Sequence, residues 1–271
     1  MYIHYAYQLC DIANREHDKR ICGNDRTLLS KKSVMSFLQS IQYCHEKIND
    51  ITHVINFISD RSTKDLIDFV KMCREKFQNK CIQINITHLE KPGIKNSILE
   101  CYKWMQLNGK DFVYQVQDDY LFTKECIFEM VEMQKQLKTE VNEYGLLSPF
   151  NDSWLWLVLY RNKVTPRVVI YTPKRYWIQY YDMSCSFLLH YSEFTKHWDF
   201  YHEFFVLLDK LNQSENNALE NKSLNYMLTR RGVLGLVPVN NLAFHLQSEL
   251  EEDHHYDWRK LWDSIEVNNA S

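Results

Sequence analysis

Phe112-Val113-Tyr114-Gln115-Val116-Gln117-Asp118-Asp119-Tyr120 is the stretch on which the reading turns. Its first five residues are mostly β-branched or aromatic, of strand length, and consistent with a strand buried within a sheet. It then runs straight into two acids. Consecutive carboxylates at the end of a buried strand are costly, because each buried anion gives up several kcal/mol of hydration unless something pairs with it. A divalent cation is the simplest partner. Adjacent residues of a regular strand face opposite ways, so Asp118 and Asp119 do not both reach one ion; one ligates the metal and the other accepts a ribose hydroxyl. Oxygen ligands favour Mg²⁺ or Mn²⁺, which also bridge a diphosphate. The plainer alternative is a pair of solvated loop acids ahead of the helix that starts near Thr123.

Working back from this stretch, β-rich runs alternate with longer helical patterns. Strands are expected at residues 2–9, 52–58, 81–86 and 112–116. Between them, a helix over 28–47 carries Val34, Phe37, Leu38 and Ile41 at helical spacing, and a second carries Leu66, Phe69, Val70 and Cys73 behind a Ser62 or Thr63 cap. Pro92-Gly93 leads into a third over 95–107. Such alternation argues for βαβ units and a mostly parallel sheet, a doubly wound α/β arrangement whose ligands sit beyond the C-terminal strand ends.

Working forward, the alternation becomes irregular. A helix is expected over 124–137 and another strand over 144–148. Extended segments follow at 154–160 and 168–171, then a strand at 186–190, helices over 193–211 and 219–230, and strands at 233–237 and ending at His245. The acidic run 249–253 introduces a terminal helix. With no Gly/Ser/Pro linker and no repeat, residues 1–271 read as one continuous unit: 1–120 a nucleotide-binding half, 121–271 a half that completes the site and ends in the helix.

Composition narrows the classes. The chain has 271 residues, 45% hydrophobic, 14% aromatic and 25% charged, which excludes a mini-protein and general disorder. A net charge of −3 lacks the basic excess that makes phosphate-backbone binding the default, so nucleic acid is a secondary hypothesis. Eight dispersed cysteines without a C-x-x-C pair, and the lack of a signal peptide, point to reduced thiols in a cytoplasmic protein; the N-X-S/T triplets at Asn85, Asn151, Asn212 and Asn221 are then chance. No apolar run approaches the length of a membrane span. Trp154, Trp156, Trp177, Tyr180 and Tyr181 could stack on a sugar acceptor, but aromatic residues this common are more often core. Arg230-Arg231 and Lys174-Arg175 could meet phosphate or stay solvated.

Asp60 after the second strand, Gly93-Ile94-Lys95-Asn96-Ser97 opening the third helix, and Gln117-Asp118-Asp119 after the fourth strand together resemble the nucleotide-sugar half of GT-A glycosyltransferases, especially the large family 2 and its viral and bacterial members. The later series Glu220-Asn221, Gly232, Pro238 and His245, and the segments 177–187 and 242–247, look like that family's second half. The resemblance covers about residues 50 to 250 and implies a metal-dependent transfer from a UDP- or GDP-sugar to a hydroxyl acceptor such as a glycan, protein or lipid-linked sugar. By this resemblance Asp60 and Asp118 contact the nucleoside, with Lys95 and Asn96 beside them; Asp119, with Asp118 and His245 as further candidates, holds Mn²⁺ or Mg²⁺; and Glu220 is the acceptor base. Asn221 stands where the family has an acid, which makes Asp182 a competing base. Three alternatives remain: a nucleotidyltransferase, a transferase acting on modified DNA, and an inactive binding module of the same fold. The first calls for a glycine-rich basic loop after the first strand, and residues 10–26 hold only one glycine, Gly23.

Overall fold

A computed structural model describes residues 1–12, 25–151, 168–180, 186–203, 228–229, 231–246 and 256–267. Its first strand, β1 (Tyr2–Leu9), shows why a parallel sheet forms here. Ile3, Tyr5, Tyr7 and Leu9 pack into one hydrophobic cluster and Ala6 into another, so both faces are covered. The buried phenols are satisfied: Tyr5 Oη meets His53 Nδ1 at 2.8 Å and Tyr7 Oη meets Ser33 Oγ at 2.7 Å.

On either side of β1 lie β2 (Thr52–Ser59) and β4 (Phe112–Gln117), both parallel to it, and β3 (Ile82–His88) lies outside β2. The sheet continues through β9 (Phe187–His190), β6 (Leu146–Leu147), β10 (Gly235–Pro238), β8 (Tyr176–Gln179) and β7 (Val169–Tyr171), giving the order β3-β2-β1-β4-β9-β6-β10-β8-β7. β9 runs antiparallel to β4 and β6, β10 is parallel to β6, and β8 is antiparallel to β10. The C-terminal ends of β1, β2, β4, β6 and β10 therefore share one edge of a mixed sheet. A separate two-stranded sheet pairs β5 (Tyr120–Phe122) with β11 (Ala243–His245).

Helices cover both faces. α1 (Arg26–Lys47), capped by Asp25 Oδ1 on Leu28 N at 2.8 Å, packs with α2 (Lys64–Phe77) and α4 (Cys126–Glu140) on the face holding Tyr5 and Tyr7. There Phe37 sits among Tyr5, Tyr7 and Phe122 with ring centroids 5.1 to 5.5 Å apart. α3 (Ile94–Asn108) and α5 (Tyr191–Lys196) serve the opposite face. The last helix, α6 (Trp258–Ser264), docks through Trp258 and Trp262, and Lys32 Nζ lies 4.7 Å over the Trp262 ring.

The first four βα units follow the sequence expectation to within two or three residues, and Thr63 is the α2 cap. Three departures have local causes. The strand expected over 144–148 shortens to Leu146–Leu147 because Gly145 is held by a side chain: Gln134 Nε2 donates to Gly145 O at 2.7 Å and Gly145 N donates to Gln134 Oε1 at 3.1 Å. β5 was expected as part of the approach to a helix, but Tyr120–Phe122 finds its partner in distant β11. No strand was expected between 171 and 186, yet Tyr176–Gln179 forms β8, a sheet strand with Trp177 at 0% exposure. Of the helix expected over 193–211, α5 and a helical stretch at 198–203 lie within the described residues. The segment 154–160, nearly all of the helix over 219–230, and the run 249–253 lie outside them.

Candidate functional site

In the doubly wound half the strand order reverses between β1 and β4, and the crevice beyond the C-terminal strand ends at such a point is where open α/β sheets take their ligands. Asp118 and Asp119 follow β4 there. Their carboxylates have different partners. Asp118 Oδ2 accepts from Cys10 N at 2.7 Å and from Ser30 Oγ at 2.9 Å, which ties the end of β1 and the second turn of α1 together. Burial raises the Asp118 carboxyl to about 7; the Arg26 charge opposes the rise and the Asp119 charge adds to it.

Asp119 Oδ2 instead lies 3.2 Å from His245 Nε2, across 126 residues of chain. The small sheet makes this contact. Register pairs His245 with Tyr120, and Leu246 N donates to Asp119 O at 2.8 Å. Tyr120 stacks on the imidazole at 4.8 Å with a 23° interplanar angle, and Phe150 meets it edge-on at 6.2 Å. The ring is thus held on one side by aromatic packing and at Nε2 by a carboxylate, with part of the side chain left exposed.

Two strands over, Asp60 directly follows β2 and is 2% exposed. Its backbone N donates to Leu9 O at 2.8 Å, and its Oδ1 accepts from Gly93 N at 2.9 Å and from Arg61 Nε at 3.2 Å. Gly93 is the N-cap of α3 with φ 127°, a conformation side chains other than glycine's disfavour. Asp60 therefore fixes where α3 begins, and Lys95 and Asn96 occupy that helix's first turn, with Asn96 Nδ2 donating to Pro92 O at 3.3 Å. Asn96 also lines a cleft of about 470 Å³ beside the end of β3, with Thr87, His88, Leu99 and Lys103.

Sequence reading missed the groups that organise this edge. Asp11, two residues past β1, accepts from Thr27 Oγ1 and Thr63 N, both at 2.8 Å, and from Thr63 Oγ1, which pins the starts of α1 and α2 to the end of β1. Arg26, the first residue of α1, donates from Nη2 to Cys10 O at 3.3 Å. An acid two residues past the first strand was the available signal for Asp11; nothing in the sequence marked Ser30 or Phe150.

Of the eight-residue candidate set, the structure brings Asp119 and His245 into contact, joins Asp60 to the α3 entry that carries Lys95 and Asn96, and gives Asp118 separate partners. Glu220 and Asp182 lie outside the described residues, as do Trp154, Trp156, Tyr181 and Arg230. Trp177 is core, the reading favoured for these aromatics. Arg175 departs from the solvated reading: it is committed to Glu129 through Nε and through Nη2 at 3.1 Å, whereas Lys174 stays exposed with its Nζ 4.7 Å over the Phe128 ring. Among the described residues no three His, Cys, Asp or Glu side chains cluster as a complete metal site, and no helix is long and apolar enough to cross a membrane. The described cysteines Cys10, Cys44, Cys73, Cys81, Cys101 and Cys126 are free thiols.

No family model matches the sequence, and no curated protein matches it. Solved structures do. A UTP-bound UGPase from Acinetobacter baumannii aligns over 97% of this chain and 92% of its own, at 9% identity and a TM-score of 0.52. A UDP-glucose pyrophosphorylase from the same organism aligns over 96% and 91%, at 9% identity and 0.49. S. aureus TarS aligns over 73% of this chain and 30% of its own, at 12% identity and 0.43. At such identities the likeness concerns the fold, which is of the nucleotide-diphospho-sugar transferase, GT-A-like type.

Proposed function

We propose that the chain is a metal-dependent glycosyltransferase that moves a sugar from a nucleoside-diphosphate sugar, UDP- or GDP-linked, to a hydroxyl of a carbohydrate-type acceptor. The observation that carries this reading is the Asp119–His245 pair, a carboxylate oxygen and an imidazole nitrogen 3.2 Å apart at the strand-end crevice of the doubly wound half. The carboxylate oxygen fits Mn²⁺ or Mg²⁺, and the imidazole nitrogen favours Mn²⁺ of the two. Such ions are commonly held by one or two protein ligands, with substrate phosphate oxygens and water completing the shell. Asp119 and His245 would hold the ion, which when bound neutralises charge on the departing nucleoside diphosphate, an effect worth several kcal/mol.

The chain's own groups supply the rest. Tyr120 and Phe150 fix the imidazole plane, so Nε2 is already aimed before a ligand arrives. Asp60, by setting the entry of α3, offers that helix's first turn with Lys95 and Asn96 to the nucleoside side, and Asp118 braces β1 and α1 behind the pair. Glu220 or Asp182 serves as the base that takes the acceptor hydroxyl's proton, a contribution of about 10² to 10⁴ in rate when within hydrogen-bond reach. A nucleotidyltransferase uses the same edge of the same fold, but the single glycine between β1 and α1, Gly23, favours glycosyl transfer.

The test is product identification. UDP- and GDP-sugars incubated with the protein and Mn²⁺ should yield the nucleoside diphosphate, and chelation should stop the release. Formation of a nucleoside triphosphate from the sugar nucleotide and pyrophosphate, with no diphosphate released, would replace this reading by nucleotidyl transfer.

A further inference from the structure

Tyr171 and Tyr176 stand out among the described residues because both are more than half exposed, at 57% and 55%, while their own hairpin is anchored tightly. They are register partners across β7 and β8, on the same face, with ring centroids 5.0 Å apart. Val169, 57% exposed, extends the strip along β7. The turn between the strands is closed by Thr172 N donating to Arg175 O at 2.9 Å and by Arg175 N donating to Thr172 Oγ1 at 3.2 Å. Arg175 then fixes it to the body: it pairs with buried Glu129 of α4 and donates from Nη1 to Asn240 O. Asn241, the next residue, exchanges hydrogen bonds with Asn151, and β11 with His245 follows.

We propose that this hairpin is a preorganised platform on which distal sugar units of a neutral, extended saccharide acceptor stack. The inference rests on the transferase reading and deepens it by naming the acceptor class. Three features favour a saccharide. First, β8 is antiparallel to β10, so Tyr176 and Tyr171 sit at the same sheet edge as Asp119, four and five strands away, or about 19 and 24 Å at ordinary strand spacing. A chain of several sugars bridges that distance along one edge; a monosaccharide does not. Second, among the described residues the hairpin's own cations are turned to α4, Lys174 onto Phe128 and Arg175 onto Glu129, so neither sits on the tyrosine face, which suits a neutral polyol. Tyrosine offers an apolar ring for the sugar face and a hydroxyl at its rim. Third, a three-residue edge strand is short for pairing with a strand of a second copy.

The experiment is native electrophoresis of the full chain through gels containing dextran, mannan, galactomannan or hydroxyethyl cellulose, alongside Tyr171→Ala/Tyr176→Ala. Both side chains are exposed, so the variant keeps its fold, which its melting temperature verifies. At least one polymer should retard the wild type, and the variant's affinity for it should fall about tenfold or more, the scale of one or two lost aromatic contacts. Stabilisation by UDP- or GDP-sugar with Mn²⁺ should be the same in both proteins. Equal retardation of wild type and variant, or none by any polymer, overturns the platform. So does light scattering that finds a dimer in the wild type and a monomer in the variant. Tyrosine-dependent retardation without stabilisation by any nucleotide sugar would support the platform and overturn the transferase reading instead; the reverse pattern would do the opposite.

Discussion

Glu129→Gln isolates the clamp that holds the β7–β8 hairpin. In the native chain the Glu129 side chain is 6% and the Arg175 side chain 15% exposed, and the guanidinium meets both carboxylate oxygens while its remaining arm serves Asn240 O. Glutamine keeps the size and one acceptor but strands a buried cation, and removing one partner of a buried pair costs about 3 to 5 kcal/mol. For a chain of this length each kcal/mol moves the melting temperature by about 2 to 4 °C, so the variant should melt roughly 10 °C lower. Replacing both partners, Glu129→Leu with Arg175→Met, removes the stranded charge and should recover most of the loss. Thermal unfolding of the wild type, Glu129→Leu, Arg175→Met and the double variant completes the cycle, with Glu129→Gln measured beside it. A Glu129→Gln variant that melts within a degree of the wild type, or a double variant no better than the singles, would refute a clamped hairpin.

Asp119→Ala should leave the melting temperature nearly unchanged and abolish release of nucleoside diphosphate; retained metal-dependent turnover would remove Asp119 from the site. Gly93→Ala should destabilise by about 1 to 3 kcal/mol from backbone strain alone, because the added Cβ meets nothing closer than Asn96 Nδ2 at 3.9 Å, and denaturant titration measures it. Burial, with the His45 charge adding to it, pushes the His53 imidazole down from 6.5 to about 3, so the unfolded chain takes up a proton below pH 6.5 that the folded chain refuses. Stability from this residue is intact above pH 6.5 and should fall by about 2 kcal/mol by pH 5, a slope that His53→Gln should flatten in denaturant midpoints taken across that range.

The parallel half was legible because its signals are local. Tyr5 and Tyr7 alternate with smaller side chains in β1, Thr63 caps α2 in the usual manner, and Val34, Phe37 and Ile41 keep helical period in α1. The antiparallel half was harder to read. β5 and β11 are three residues each and exist through pairing with one another, a long-range event with no periodicity to announce it. Trp177 is core, as the abundance of aromatics suggested, but the strand that buries it is four residues long and shows no periodicity that would announce it. At the site, Asp60, Asp118, Asp119 and His245 could be singled out from strand ends and order in the chain. Their partners could not: Cys10 contributes a backbone N–H, which any residue has, and Ser30 is one of several serines in α1. Asp11, which holds Thr27 and Thr63, could have been singled out on the same ground as Asp60, as an acid just past a strand end.

A pair of protein ligands grips an ion weakly until phosphate oxygens join them, so the most direct test of a cation-held diphosphate is a Mn²⁺ titration followed by electron paramagnetic resonance, with and without UDP or GDP. One of the diphosphates should tighten Mn²⁺ binding at least tenfold, and Asp119→Asn should erase that gain. Manganese bound equally well without nucleotide, or a nucleotide-dependent gain that survives in Asp119→Asn, would place the ion elsewhere and contradict the Asp119–His245 site.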